Sequence, residues 1–332
     1  MSADVPSIAA QGARRWRSAS SRLEQAFRLY QRRIGRCRTE NQLNRVHIAL
    51  ENYMTPAEVR HFGKALADET AEAASRRWIS RLGRWLPVNK ARPVEFERRG
   101  LLKGATLYTA GDGHAEQKTL IIGLTGHFHR LMVPMPWLLD CLNPSLYDFV
   151  VLRDFSRFYY ALGIPGLGSD FVSALSGLRS RIDLRSYRST IALGTSGGGL
   201  PALMAAILLE LDKGIAIGPQ DLAHVAGKLD AGGVRSDSYA ALLTSRPRRF
   251  PELAVAFGAD HTVDAAAAAA IHALVPSNLR PVKHCAQHGV FDWHLRRGTL
   301  PHYISKLLGQ SLESRDLMTV TLAGKFATSP RT

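Results

Sequence analysis

The chain has 332 residues, 45% of them hydrophobic and 21% charged, the balance of a soluble globular protein with one large domain or one domain with an appendage. Its 43 basic and 28 acidic residues give a formal net charge of +15, with about half of the Lys and Arg in the first hundred or so residues. Such an excess attracts nucleic acid, acidic lipid or anionic glycans, although a solvated basic face is the plainer account. Cys37, Cys141 and Cys285 are scattered with no CxxC pair, which excludes a disulfide framework and fits a reducing compartment. No apolar run reaches membrane-spanning length. The opening MSADVPSIAAQGARRWR lacks an apolar core followed by a cleavage site, so a cytoplasmic location is expected.

Residues 1–18 read as a disordered N-terminus, small and polar without a period. Residues 19–95 read as a basic helical region and linker. Leu23, Phe27, Tyr30 and Ile34 fall on one helical face. Thr55 is an N-cap with Pro56 at the first helical position, and Val59, Phe62, Leu66, Ala73, Ile79 and Leu82 continue as one long or broken helical hairpin. PVNKARPVE carries two prolines and reads as the linker. From residue 96 to 312 the texture changes to short apolar runs that alternate with helical stretches, and 313–332 is a tail.

Strands are expected at TLIIGLTG, YDFVVLRD, STIALGTS, KGIAIGP, ELAVAFGAD and RPVKHCAQH. Helices are expected after the prolines of LMVPMPWLLDCL, in SDFVSALSGLRSRI, in LPALMAAILLEL, in VDAAAAAAIHAL and in VFDWHLRRGTLPHYISKLL. This alternation predicts an α/β fold with a mostly parallel, doubly wound sheet covered on both faces. LGIPGLGSD lacks the Gly-Lys-Ser/Thr ending of a phosphate loop, does not fit the dinucleotide fingerprint, and reads as a rim loop. About thirty residues separate KGIAIGP from ELAVAFGAD, so any lid there is small.

The stretch IALGTSGGGL carries the chemistry. Gly194, Thr195, Ser196, Gly197 and Gly198 match G-x-S-x-G, with a strand before and a helix after. A turn that tight demands tiny residues around the serine and points the N–H groups of the helix start at its hydroxyl.

On GTSGG, on GLTGHF after an early strand, on FGADHTVD after a late one and on CAQHGV after the last, the chain resembles the α/β-hydrolase superfamily over roughly residues 100–310. It is similar to bacterial hydrolase-like proteins with a GTS(A/G)GG nucleophile elbow. The resemblance implies the order nucleophile, acid, histidine. Ser196 becomes the nucleophile of an acyl-enzyme, His288 the general base, and Asp260 at the strand end the orienting acid, with Asp264 as the other candidate, otherwise an N-cap. The oxyanion donors would be the N–H of Gly197 and that of His127 or Phe128. His284 is placed in the last strand and His294 in the helix beyond it, both structural or solvent-facing.

The implied activity is that of a serine hydrolase: an esterase, deacylase or thioesterase on a small-molecule or glycan-linked acyl substrate, with acyl transfer open to the same residues. No cofactor is expected. His127 and His129 lack a nearby carboxylate or cysteine partner and make a poor metal site. The rival reading is a non-catalytic α/β-hydrolase-like binding module whose basic N-terminal helices dock a partner protein or anionic polymer. Specific nucleic-acid binding is not expected, since the basic helices lack interleaved aromatics. Arg153, Arg157, Arg179 and Arg181 would favour an anionic substrate if they faced the pocket, and are otherwise ordinary basic surface.

Overall fold

The computed structural model describes residues 19–67, 72–86, 94–111 and 113–309. The expected disordered N-terminus, residues 87–93 of the linker and the C-terminal tail lie outside the described residues. The chain forms two compact units, one up to Ile191 and one from Ala192. The boundary falls inside the expected 96–312 domain, and the N-terminal helices share the first unit with the early strands.

The helices of the first unit follow caps and apolar spacing. α1 (Ala19–Ile34) buries Phe27 and Tyr30. α2 (Glu40–Glu51) begins at Thr39, whose hydroxyl accepts the N–H of Gln42. α3 (Pro56–Ala65) carries a capping box: Thr55 accepts the N–H of Glu58 at 3.1 Å, and the Glu58 carboxylate accepts that of Thr55 at 2.8 Å. α4 (Ala73–Gly83) completes the expected hairpin, although Ala73 itself is exposed.

These helices bury one apolar cluster around Phe27, Tyr30, Met54, Val59, Phe62, Trp78 and Leu82. Polar groups thread its wall. His47 stacks on Trp78 at 4.2 Å and nearly parallel, and its Nε2 lies 3.2 Å from the Tyr30 hydroxyl. The Trp78 indole donates to Glu51 at 3.1 Å. Burial first, and then the Arg81 cation, push the His47 imidazole down to about 4.

β1 (Glu97–Leu102) and β2 (Ala105–Thr109) form an antiparallel hairpin, with β2 antiparallel to β4 (Tyr147–Leu152). β4 runs parallel to β3 (Thr119–Leu124), with α5 (Met135–Asp140) between them in the chain. α6 (Phe171–Arg179) starts at Asp170, one of the two expected caps. The helices are tied to these strands. The Tyr108 hydroxyl donates to Tyr53 O at 2.9 Å, Arg98 pairs with Glu58 at 2.8 Å, and the Trp137 indole donates to Leu82 O at 2.7 Å. Arg22 pairs with Glu97, and Arg60 with Glu95.

β5 (Ser189–Thr195) leads into the second unit. There α7 (Gly199–Leu208), β6 (Lys213–Ile217), α8 (Leu222–Ala231), α9 (Ser236–Leu243), β7 (Glu252–Gly258), α10 (Thr262–Leu274), β8 (Asn278–Val282), α11 (Val290–Arg296) and α12 (Leu300–Leu308) follow in turn. β6, β7 and β8 are parallel. The sheet order is β1-β2-β4-β3-β5-β6-β7-β8. α8 and α9 fill the short β6–β7 connection. The last strand stops earlier than expected: His284 lies in a turn with φ +59°, not in the strand. The chain bends there so that Cys285 O accepts the N–H of Asp260 at 3.1 Å. Among the described residues no helix is long and apolar enough to cross a membrane.

The His47 ring is expected to stay neutral down to about pH 4 in an NMR titration. An unfolded chain protonates this histidine near pH 6.5, so the unfolded state binds more protons between pH 6.5 and 4. Folding stability therefore drops as the pH falls through that window, and drops less in His47→Gln. Equal slopes in chemical denaturation of the two proteins would contradict this.

Candidate active site

β5 ends at Thr195, and Ser196 takes φ +52°, the left-handed region that costs a residue with a Cβ about 1–3 kcal/mol. A single 3-10 turn over Ser196–Gly198 then passes into α7. The glycines answer to space. A Cβ on Gly194 would sit 1.9 Å from Gly198 O and 2.7 Å from the Ala202 Cβ, so nothing larger than glycine fits two residues before the serine. Gly197 is buried in the middle of the turn. A Cβ on Gly199 would meet the Pro219 Cβ at 2.9 Å. Ser196 is half-buried, and its hydroxyl makes no hydrogen bond among the described residues.

The partner groups follow the later strands. After β7 the chain makes a short turn, and the His261 ring caps α10 by accepting the N–H of Asp264 at 3.2 Å. This makes Asp264 the third helical residue, buried at 3% exposure. His288 follows β8, and its Nδ1 lies 3.0 Å from both Asp264 carboxylate oxygens. That contact holds the imidazole with its proton on Nδ1 and Nε2 free to accept another.

The carboxylate that contacts His288 is thus that of Asp264 and not that of Asp260. Asp260 is exposed in the turn, and its carboxylate makes no hydrogen bond to His288. The first turn of α10 carries Asp264 inward, whereas the strand end leaves Asp260 facing out. The N-cap role considered for Asp264 belongs to His261.

Gly218, just past β6, fixes the spacing. It has φ +52°, and a Cβ there would lie 3.0 Å from Asp264 Oδ2 and 3.2 Å from His288 Nδ1. Its neighbour Pro219 is the residue that abuts Gly199 at the serine turn. Gly218–Pro219 therefore touches the His–Asp pair with one residue and the start of α7 with the next. Ser196 follows β5, Gly218 β6, Asp264 β7 and His288 β8, so all four lie beyond the carboxyl ends of successive strands.

His127, Phe128, His129 and Arg153 lie in the first unit. Phe128 is 77% exposed, and its carbonyl accepts from Asn52 Nδ2 at 3.1 Å, a link between α2 and the loop after β3. The His127 ring rests 5.1 Å from Tyr159, and that of His129 5.1 Å from Phe155, each with its own aromatic partner. Burial, aided by Arg157, lowers the His129 imidazole. Arg153 is not surface: it is fully buried, donating to Thr106 Oγ1 at 3.0 Å and Asn52 O at 2.6 Å, with its guanidinium 3.8 Å from the centre of the Tyr53 ring. LGIPGLGSD folds on itself, since a Cβ on Gly163 would lie 2.1 Å from Gly168 O. His294 lies on α11 as expected, with Nδ1 2.8 Å from Thr299 Oγ1 and its ring stacked on Tyr303. Gly218 and His261 were not foreseen. Only the glycine itself and the histidine three residues before an aspartate could have marked them.

A mostly parallel sheet with helices between its strands is the architecture expected from the sequence. The fold is α/β, with a mostly parallel eight-stranded sheet. No protein-family model matches the chain, and no curated protein matches it. Solved structures similar to it include MGS-MChE2, an α/β hydrolase enzyme from the metagenome of sediments from the lagoon of Mar Chica, Morocco. It is 17% identical with a TM-score of 0.43, over 66% of this chain and 99% of that one. Est1E from Butyrivibrio proteoclasticus is 13% identical with a TM-score of 0.40, over 65% and 99%. Dienelactone hydrolase from Anabaena variabilis is 14% identical with a TM-score of 0.42, over 64% and 96%. Likenesses this distant say nothing of substrate.

Gly194→Ala is expected to destabilise the protein by about 3 kcal/mol or more, because the new methyl meets backbone. Gly227→Ala, at a helical glycine with nothing within 4 Å of the added carbon, is expected to be neutral or stabilising by up to about 1 kcal/mol. Urea denaturation of the two variants checks the contrast, and equal midpoints would refute the steric account of the turn.

Proposed function

We propose that the protein is a serine hydrolase that works through an acyl-enzyme on Ser196, acting on a carboxylic ester, thioester or related acyl group. The observation that carries this reading is the His288–Asp264 hydrogen bond, seated across Gly218–Pro219 from the Ser196 turn. His288 Nε2 takes the hydroxyl proton as Ser196 Oγ attacks the carbonyl carbon. Asp264 holds the ring orientation and stabilises the imidazolium that forms. The Gly197 N–H stabilises the oxyanion. Collapse of the tetrahedral intermediate breaks the bond to the leaving group, which takes the proton back from His288. Water then repeats the sequence, giving the acid and free Ser196. In the structure the Ser196 hydroxyl carries no hydrogen bond to His288, and such contacts often tighten only with substrate bound.

Labelling by a fluorophosphonate probe is expected in the wild type and lost in Ser196→Ala. Persistent labelling of that variant would sink the nucleophile assignment. Asp264→Asn is expected to lower kcat by about 10³–10⁴-fold on a p-nitrophenyl ester, by analogy with loss of a triad aspartate. Asp260→Asn should cost about threefold or less, as a surface change away from the reacting groups. The reverse ranking of the two variants would restore Asp260 as the acid. Esters of increasing acyl length would then define the substrate class.

A further inference from the structure

We propose that the outward face of α1 docks on an anionic phospholipid bilayer; the surface uses none of the candidate site residues and is independent of the hydrolase reading. α1 buries Phe27 and Tyr30 in the apolar cluster of the first unit, so its apolar side is already taken. The other side carries Arg28, Arg32 and Arg33, and Arg36 follows in the turn that closes the helix. All four are exposed, and none pairs with a carboxylate among the described residues. Other arginines of the same unit do pair: Arg22 with Glu97, Arg60 with Glu95, Arg81 with Glu51 and Arg98 with Glu58. The one carboxylate on α1, that of Glu24, faces His61 at 3.4 Å.

Counted at about 100° per residue, Arg28, Arg32, Leu29 and Arg33 spread over about 140° of the helix, with Leu29 between the arginines. Leu29 is 53% exposed. An exposed leucine alone is ordinary. One set among four cations adds to their grip only on a partner with an apolar layer beneath its negative charges. A bilayer has both, phosphates at headgroup depth and acyl chains just below. Arginine is long enough to keep its charge at the phosphates while its stem follows the leucine inward. α2 repeats the pairing, with Ile48 52% exposed and one helical turn from the exposed Arg45. The rest of the chain does not supply the counter-charge. Residues 1–18 carry Arg14, Arg15 and Arg17 against Asp4, and residues 310–332 carry Arg315, Lys325 and Arg331 against Glu313 and Asp316. A second copy of a chain with a net charge of +15 is repelled from such a face. Because α1 keeps its apolar side in the protein, the attachment is peripheral, with side chains and not the helix entering the headgroup layer.

Sedimentation of the full chain with vesicles tests this. Equimolar phosphatidylglycerol and phosphatidylcholine should carry the protein down at low salt and release it at high salt, and pure phosphatidylcholine should not bind it. Each arginine near an anionic surface strengthens binding about fivefold. Changing Arg28→Gln, Arg32→Gln, Arg33→Gln and Arg36→Gln together should therefore weaken binding about a hundredfold or more. Glutamine has nearly the helix propensity of arginine, and circular dichroism checks that the variant is folded. The same charge removed elsewhere, by Arg179→Gln, Arg185→Gln, Arg246→Gln and Arg248→Gln at exposed positions, should cost about tenfold or less. Leu29→Gln should weaken vesicle binding about fivefold or more and leave retention on heparin unchanged. A wild type that ignores the anionic vesicles, or that binds pure phosphatidylcholine equally well, overturns the proposal. Equal losses in the two quadruple variants would remove α1 as the docking face. Retention on heparin that needs the four α1 arginines, without vesicle binding, would give the face to a soluble polyanion and also overturn the proposal.

Discussion

The carbonyl of Gly198 occupies the space that a side chain at position 194 would need. The bend that brings it there takes the chain out of β5 within a single residue, with Ser196 at a positive φ and the helix starting three residues later. The strain is local, about 1–3 kcal/mol, and is carried by a buried strand and by α7, a helix with nine of its ten residues buried. A flexible loop could not hold a hydroxyl in such a place. The glycines of this segment therefore serve tightness rather than mobility, and a larger side chain at 194 would dismantle the bend before it altered any chemistry.

The second group of residues obeys a similar rule. Gly218 leaves just enough room for the Asp264 carboxylate and the His288 ring to meet over it. The parallel strands β6, β7 and β8 bring three loops to the same end of the second unit. Each loop then contributes one thing: a missing side chain, a buried carboxylate or a half-exposed imidazole. The carboxylate is placed by a helix start, which makes its position sensitive to how that helix is capped.

Much of the sheet was legible because its strands are near-continuous apolar runs. TLIIGL, YDFVVL and KGIAI are buried almost throughout and announce themselves in sequence. β1 was not, since ERRGLL is only half-buried and carries two arginines. β8 is the last strand in the sheet order and mostly exposed, with Pro281 next to its last residue, so apolar pattern marks its bounds poorly. α2 was hidden because ENQLNRVHIALE has few apolar residues and buries a histidine and a glutamate instead. At the candidate site, motif and order single out Ser196 and His288 in the sequence. Which of Asp260 and Asp264 meets His288 is not legible there, because it depends on where the turn after β7 ends and α10 begins. Gly218 was invisible for another reason: its role is an absence, revealed only by what stands next to it.

Arg153 carries a meaning beyond its own contacts. Its charge is wholly enclosed, and one of its hydrogen bonds and its aromatic face come from Asn52 and Tyr53, at the end of α2. A chain shortened to begin at β1 would keep the cation and lose both companions, at a cost of several kcal/mol for an ion stranded away from water. The N-terminal helices are therefore not baggage that evolution or an experimenter could shed freely. They complete the solvation of a residue deep in the strands, so the smallest piece able to fold reaches back at least to α2.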